Sequence, residues 1–336
     1  MDRTYRIKDL GSKNNIPDIK PVNITWLKKD DRKIRINIAG LGSVGSTLLM
    51  GLALLGRDDI ERIGIYDLNK ELCQRWEMEG NQIREACSEK ETPTINILKD
   101  EELFDCEVFV FCIAKTIPPL DAEVEDVRMF QFEANRKIVE NYAKGAAECG
   151  YKGLFIVVSD PVDLLCMTAF KASTEIGSLH PYQIQGCGLG VMNARAFYYA
   201  KKESIFDSFV KEGRVFGPHG KNLVVANSII KENYDDELSK KLTELTVNAN
   251  LKVRELGYKP YVAPALSSAA FTILRIIRGE WNYSACYLNG VYFGAKNRTI
   301  ENGIEWEEIN INQKLFSRLQ NAWDSLYGSF QGITET

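Results

Sequence analysis

Residues 33–45 read KIRINIAGLGSVG, and the fold turns on them. Ile34, Ile36 and Ile38 alternate with Arg35 and Asn37, which is the period of a strand. The strand runs into Gly40-Leu41-Gly42-Ser43-Val44-Gly45, a G-x-G-x-x-G spacing. Leu48, Leu49, Leu52, Leu54 and Leu55 then mark an apolar helix that Gly56 can close. In this strand-to-helix setting each glycine has a job. Gly40 permits a tight turn, Gly42 lets a pyrophosphate approach the backbone, and Gly45 lets helix and strand pack closely. Ser43 and Val44 open the helix, whose N-terminus offers N–H donors and partial positive charge to phosphate. A second short strand, Arg62 to Tyr66, ends in Asp67. A carboxylate there accepts hydrogen bonds from an adenosine ribose and repels a 2′-phosphate, so the pattern predicts NAD rather than NADP. The competing reading is a glycine turn that binds nothing, with Asp67 as a strand-end cap.

Outward from this unit, strands are expected at Thr94 to Leu98, Glu107 to Ala114, Leu154 to Ser159 and Gln183 to Cys187. Helices are expected near Leu68 to Cys87, Val127 to Cys149 and Val162 to Thr174. That alternation predicts an α/β fold with a Rossmann-type, doubly wound parallel sheet. Beyond about residue 189 come helical stretches at Ala194 to Val210, Asp235 to Leu256 and Ser267 to Arg278. Paired strands, Tyr283 to Leu288 and Val291 to Ala295, then flank an Asn289-Gly290 turn, and a last helix runs from Gln313 to Tyr327. The expected organisation is an N-terminal extension (1–32), an NAD-binding domain (33–188) and a mixed α+β substrate domain (189–336).

Composition narrows the partners. The 336 residues carry 42 basic and 46 acidic side chains, a net charge of -4, which supplies no field to attract nucleic acid. No apolar stretch approaches a membrane span or a signal-peptide core, so no membrane is expected and the reading is cytoplasmic. The eight cysteines form no Cys-x-x-Cys pair and are expected as buried free thiols. His180 and His219 lack neighbours at metal-ligand spacing, so no metal site is expected.

From about Lys33 to Phe330 the chain resembles the L-lactate/malate dehydrogenase family, through GLGSVG at 40–45, SDPVD at 159–163, NAR at 193–195 and GPHG at 217–220. The resemblance implies that His219 exchanges the proton of a substrate hydroxyl. Imidazole is the side chain whose unperturbed pKa suits that task. It implies that Arg195 binds the substrate carboxylate with its planar fork. It also implies that Arg128, seven residues before Asn135, polarises the carbonyl from a closing loop, with Asn135 on the cofactor side. For Arg128 the alternative is a solvated arginine at a helix start. The family further implies a homo-oligomer, dimer or tetramer, in which the N-terminal extension serves as an arm between subunits.

Three positions depart from the family pattern. Met192 stands where the family has an aspartate that holds the catalytic histidine in one tautomer. Such a charge-assisted bond is worth about 1.5–3 kcal/mol, so its loss predicts turnover slowed by about ten- to hundred-fold. Asp160 replaces an asparagine, and is expected either to compensate partly for the missing acid or to record drift. Ile117 occupies the position that sets substrate specificity and cannot pair a second carboxylate, so the expected substrate is a 2-oxo acid other than that of malate enzymes, with a bulkier or apolar side chain. Lys259 is expected in solvent. The expected activity is NAD-dependent interconversion of a 2-hydroxy and a 2-oxo acid. Its rivals are a catalytically impaired NAD-binding sensor or partner-binding protein, and a metal-dependent glycosidase of related fold.

Overall fold

The computed structural model describes residues 4–14, 16, 19–28, 32–115, 127–177 and 179–334. The decisive stretch forms β1 (Ile34–Ala39) and α1 (Ser43–Leu55), and Gly56 closes the helix by donating its N–H to the Leu52 carbonyl at 2.9 Å. There follow β2 (Ile60–Tyr66), α2 (Lys70–Asn81), β3 (Thr94–Ile97), β4 (Val108–Phe111), α3 (Val127–Glu148), β5 (Leu154–Val157), α4 (Val162–Thr174) and β6 (Ile184–Gly186). Asn69 caps α2 by accepting the Leu72 N–H at 3.0 Å, which starts that helix later than the apolar pattern suggested.

These six strands are parallel and ordered β3-β2-β1-β4-β5-β6. The order reverses between β1 and β4, the switch point at which doubly wound sheets bind ligands. Both faces are buried, so the central strands read as continuous apolar runs. Phe109, Phe111, Phe155 and Val157 join a core with Val139 and Ala143 of α3 and Leu165 of α4. Val108, Val110, Leu154 and Ile156 join the other core with Leu48, Leu49 and Leu52 of α1.

The second half comprises α5 (Leu189–Ala200), α6 (Asp207–Glu212), the short hairpin β7 (Arg214–Phe216) and β8 (Val224–Ala226), α7 (Asp236–Val247) and α8 (Ala249–Glu255). A π-helical stretch, Pro264–Ala270, then runs into α9 (Phe271–Ile277), followed by β9 (Asn282–Leu288), β10 (Val291–Ile300), β11 (Gly303–Trp306) and α10 (Gln313–Thr334). Asn289 and Gly290 both have positive φ, as a tight two-residue hairpin turn requires. The expected boundary near residue 188 is not a break in the sheet. β9 pairs antiparallel with β6 through Gly186 and Ala285, and β10 and β11 extend one nine-stranded sheet.

The N-terminal extension is, where described, packed on its own chain. Ile7, Leu10, Ile24 and Trp26 are buried. Ile24 N–H bonds the Glu301 carbonyl at 2.9 Å, Lys28 N–H bonds the Ile277 carbonyl at 2.7 Å, and Tyr5 bridges Ile311. Among the described residues no helix is long and apolar enough to cross a membrane. Six cysteines are buried and free while Cys87 and Cys149 are exposed; burial pushes the Cys112 thiol up to about 12, so it stays protonated.

Candidate active site

The site assembles at the carboxyl ends of the parallel strands, where each strand hands its last residues to a loop. After β1, Gly40 adopts φ 95°, and a Cβ there would lie 2.9 Å from the Cys112 carbonyl carbon. A Cβ on Gly45 would overlap the Gly40 carbonyl oxygen, so the turn closes only with glycine at both positions. Gly42 differs: a Cβ there would meet no heavy atom within 4 Å. Folding does not need that glycine, whereas a phosphate pressed against the backbone does. Ser43 is exposed and Val44 half-buried in the first turn of α1. Asp67, after β2, accepts the Leu41 N–H at 2.7 Å through Oδ2 and the Asn69 N–H at 2.9 Å through Oδ1. The acid is thus fixed against the glycine turn, with lone pairs to spare for ribose hydroxyls. An open backbone at Gly42, a helix N-terminus and an anchored acid fit a dinucleotide.

Beyond β5 and β6 lie the groups of the proposed chemistry. His219 sits in the Gly217-Pro218-His219-Gly220 turn between β7 and β8, where Gly217 has φ 90° and Gly220 φ 141°. Gly217 N–H bonds the Gly294 carbonyl at 2.8 Å, pinning the turn to β10. Asp163, in the first turn of α4, accepts the His219 backbone N–H at 3.0 Å. The ring's Nδ1 lies 2.8 Å from the Gly188 carbonyl, and its Nε2 lies 3.8 Å from Asp160 Oδ1. Asp160 therefore faces the opposite side of the ring from Nδ1, where a backbone carbonyl already stands.

Arg195, on α5, places Nη1 3.5 Å from the sulfur of Met192, which is buried. Burial pulls the arginine's pKa down, and the nearby Asp160 charge raises it in part, a balance in which guanidinium remains charged. Asn135 is buried. Its Oδ1 accepts the Lys115 N–H at 2.9 Å and its Nδ2 donates to the Asp160 carbonyl at 3.0 Å, so its amide braces two loops. Lys259 is exposed, as expected. Ile117 and the side chain of Arg128 lie outside the described residues; the Arg128 backbone is in the first turn of α3.

Two residues of this arrangement escape sequence reasoning. Asp163 was visible as the end of Ser159-Asp160-Pro161-Val162-Asp163 but carried no assigned role. Ser268, on the π-helical stretch, donates to the Gly188 carbonyl at 2.8 Å and accepts the Val191 N–H at 2.8 Å. A lone serine in an apolar helix gives no sign of such a position.

Residues 34–178 match the sequence model of the family described as lactate/malate dehydrogenase, NAD binding domain. The chain is 29% identical over 192 residues to an L-lactate dehydrogenase of Treponema denticola, a match covering 57% of this chain and 56% of that one. It is 24% identical over 311 residues to a malate dehydrogenase of Aliarcobacter butzleri, covering 85% and 94%. A minor L-lactate dehydrogenase from Enterococcus mundtii has the same fold, with TM-score 0.72 at 18% identity over 90% of this chain and 98% of that one. The NAD cradle and the fold agree with this similarity to the lactate/malate dehydrogenases, which the family model carries over residues 34–178, the NAD-binding part of the chain.

Proposed function

We propose that the protein is an NAD-dependent oxidoreductase interconverting a 2-hydroxy acid and a 2-oxo acid. The observation that carries this reading is the convergence of Arg195, Asp160 and His219 at the carboxyl ends of the strands that also present the dinucleotide turn. NAD, when bound, supplies or accepts the hydride. The chain's own residues do the rest. Arg195 anchors the substrate carboxylate, with a planar fork that fixes its orientation as well as its charge. His219 exchanges the hydroxyl proton through Nε2, with its backbone held by Asp163. Arg128 polarises the carbonyl from the first turn of α3. Asn135 keeps the Asp160 loop in register with the end of β4. Ile117 in place of a cationic residue supports a substrate with a single carboxylate and a bulkier or apolar side chain, rather than malate. Self-association as a dimer or tetramer, checked by light scattering, belongs to the same reading.

A second reading is favoured by one observation. Met192 presents a thioether where the family pattern has a carboxylate, which supports a protein that binds NAD without turning over. NADH oxidation across 2-oxo acids from pyruvate and oxaloacetate to branched, aromatic and long-chain members separates the two. Turnover of one bulky 2-oxo acid, abolished by His219→Ala, supports the oxidoreductase. Tight NADH binding with no turnover across the panel supports the sensor.

A further inference from the structure

Met192 stands where the family pattern has an aspartate, and among the described residues His219 Nδ1 faces a backbone carbonyl. The Gly188 carbonyl lies 2.8 Å from it, and a carbonyl can only accept, so Nδ1 carries the proton and a neutral ring keeps its lone pair at Nε2. That carbonyl is itself held. Ser268 Oγ donates to it at 2.8 Å and accepts the Val191 N–H at 2.8 Å, in a site where the serine is buried. Val191 is the third residue of α5, one of the helix-start donors without an intrahelical partner, and the N-cap position is Gly188, which has no side chain to offer. Ser268 thus caps α5 from a distant element and steers the cap residue's carbonyl toward His219.

Two glycines make the arrangement possible. A Cβ on Gly188 would lie 2.9 Å from His219 Cβ, and a Cβ on Gly190 would overlap the Ser267 carbonyl. The Gly186-Cys187-Gly188-Leu189-Gly190 run therefore lets the histidine turn and the π-helical stretch close on the start of α5 together.

We propose that Ser268 is a positioning residue for His219, acting through the Gly188 carbonyl, and that this neutral pair holds the ring in the tautomer that an aspartate would otherwise impose. The proposal rests on His219 being the acid and base of the oxidoreductase reading, but its first test does not need turnover. Among the described residues, the charged groups near the ring include Asp160 on the Nε2 side, Asp163 at the backbone N–H, Arg195 beside Asp160 and Lys221 exposed after the same turn. A Ser268 substitution changes none of them.

The chain has only two histidines, so ¹⁵N NMR of the full-length protein labelled at histidine, assigned with His180→Gln, reads His219 directly. The expected result is a neutral Nδ1–H tautomer in the native protein, lost or mixed with the Nε2–H form in Ser268→Ala, and retained in Ser268→Thr, which keeps the hydroxyl. With a turned-over 2-oxo acid, Ser268→Ala is further expected to lower kcat about tenfold, to shift the pH profile of kcat/KM and to leave KM for NADH unchanged. Ser268→Cys, with a weak donor, provides an intermediate case if the alanine variant does not fold. An Nε2–H tautomer in the native protein overturns the proposal, as does a Ser268→Ala protein with native tautomer and native pH profile. A native protein with no turnover but the expected tautomers sinks the oxidoreductase reading and leaves the positioning claim standing.

Discussion

A Cβ has room at Gly42 and none at Gly45, and the difference can be measured. Gly42→Ala has room and an ordinary backbone conformation, φ −61°. It should leave the melting temperature nearly unchanged while weakening NADH binding, read by fluorescence, by about tenfold or more, since about 1.4 kcal/mol of lost phosphate contact suffices. Gly45→Ala should destabilise the fold. Asp160 offers a pH test: an anion facing Nε2 favours the protonated ring, so Asp160→Asn should move the high-pH limb of kcat/KM for 2-oxo acid reduction to lower pH. An unmoved limb would mean that Asp160 does not act on His219. At this scale the glycine turn was legible, because its spacing announces the backbone geometry that Gly40 and Gly45 adopt. What stayed hidden was the group at Nδ1. The Gly188 carbonyl is backbone, which any residue supplies, and Ser268 reaches it from 80 positions away.

Among the elements, strands were easiest to foresee where a period of two or an unbroken apolar run met a turn, as in β1, β2 and the β9–β10 hairpin. Where tertiary contacts decide, the pattern ran out. The helix expected from Asp235 to Leu256 breaks at Asn248 into α7 and α8, and β7 and β8 are three residues each, too short to show a period. The π-helical start of α9 has no periodic signature at all. The N-terminal arm is the element whose packing was least expected. Trp26 is fully buried against the core containing Ile276 and Ile277, so Trp26→Ala should cost about 3–5 kcal/mol, measured as a lowered midpoint in urea. A loss below 1 kcal/mol would show that the arm only rests on the surface.

Over the whole molecule, one sheet runs through both halves, and one buried and one half-buried carboxylate tie its parts together. Asp59, ahead of β2, is bonded by Lys28 of the arm and by Arg278 after α9; Glu307, after β11, is bonded by Arg214 of β7 and Lys296 of β10. Burial alone would raise both carboxyl pKa values, but the cationic partners outweigh it and hold both below their ordinary range. A folded-state pKa below the unfolded one stabilises above the unfolded value, and that contribution fades as pH falls through the folded value. Unfolding free energy from urea titrations should therefore decline below about pH 5, less steeply in Glu307→Gln, whose stability at pH 7 is already lower. The α/β class and the parallel order were legible from alternating strands and helices. The joining of β9 to β6 was not, since it rests on a contact between Gly186 and Ala285 far apart in sequence. Hydride transfer to the second carbon of a 2-oxo acid can be followed with NADH deuterated at C4 on each face in turn. The product of the best 2-oxo acid in the panel is then analysed by mass spectrometry. Deuterium is expected at C2 of a 2-hydroxy acid from one face only, with none in His219→Ala; product without deuterium from either face, or no product at all, would overturn the oxidoreductase reading.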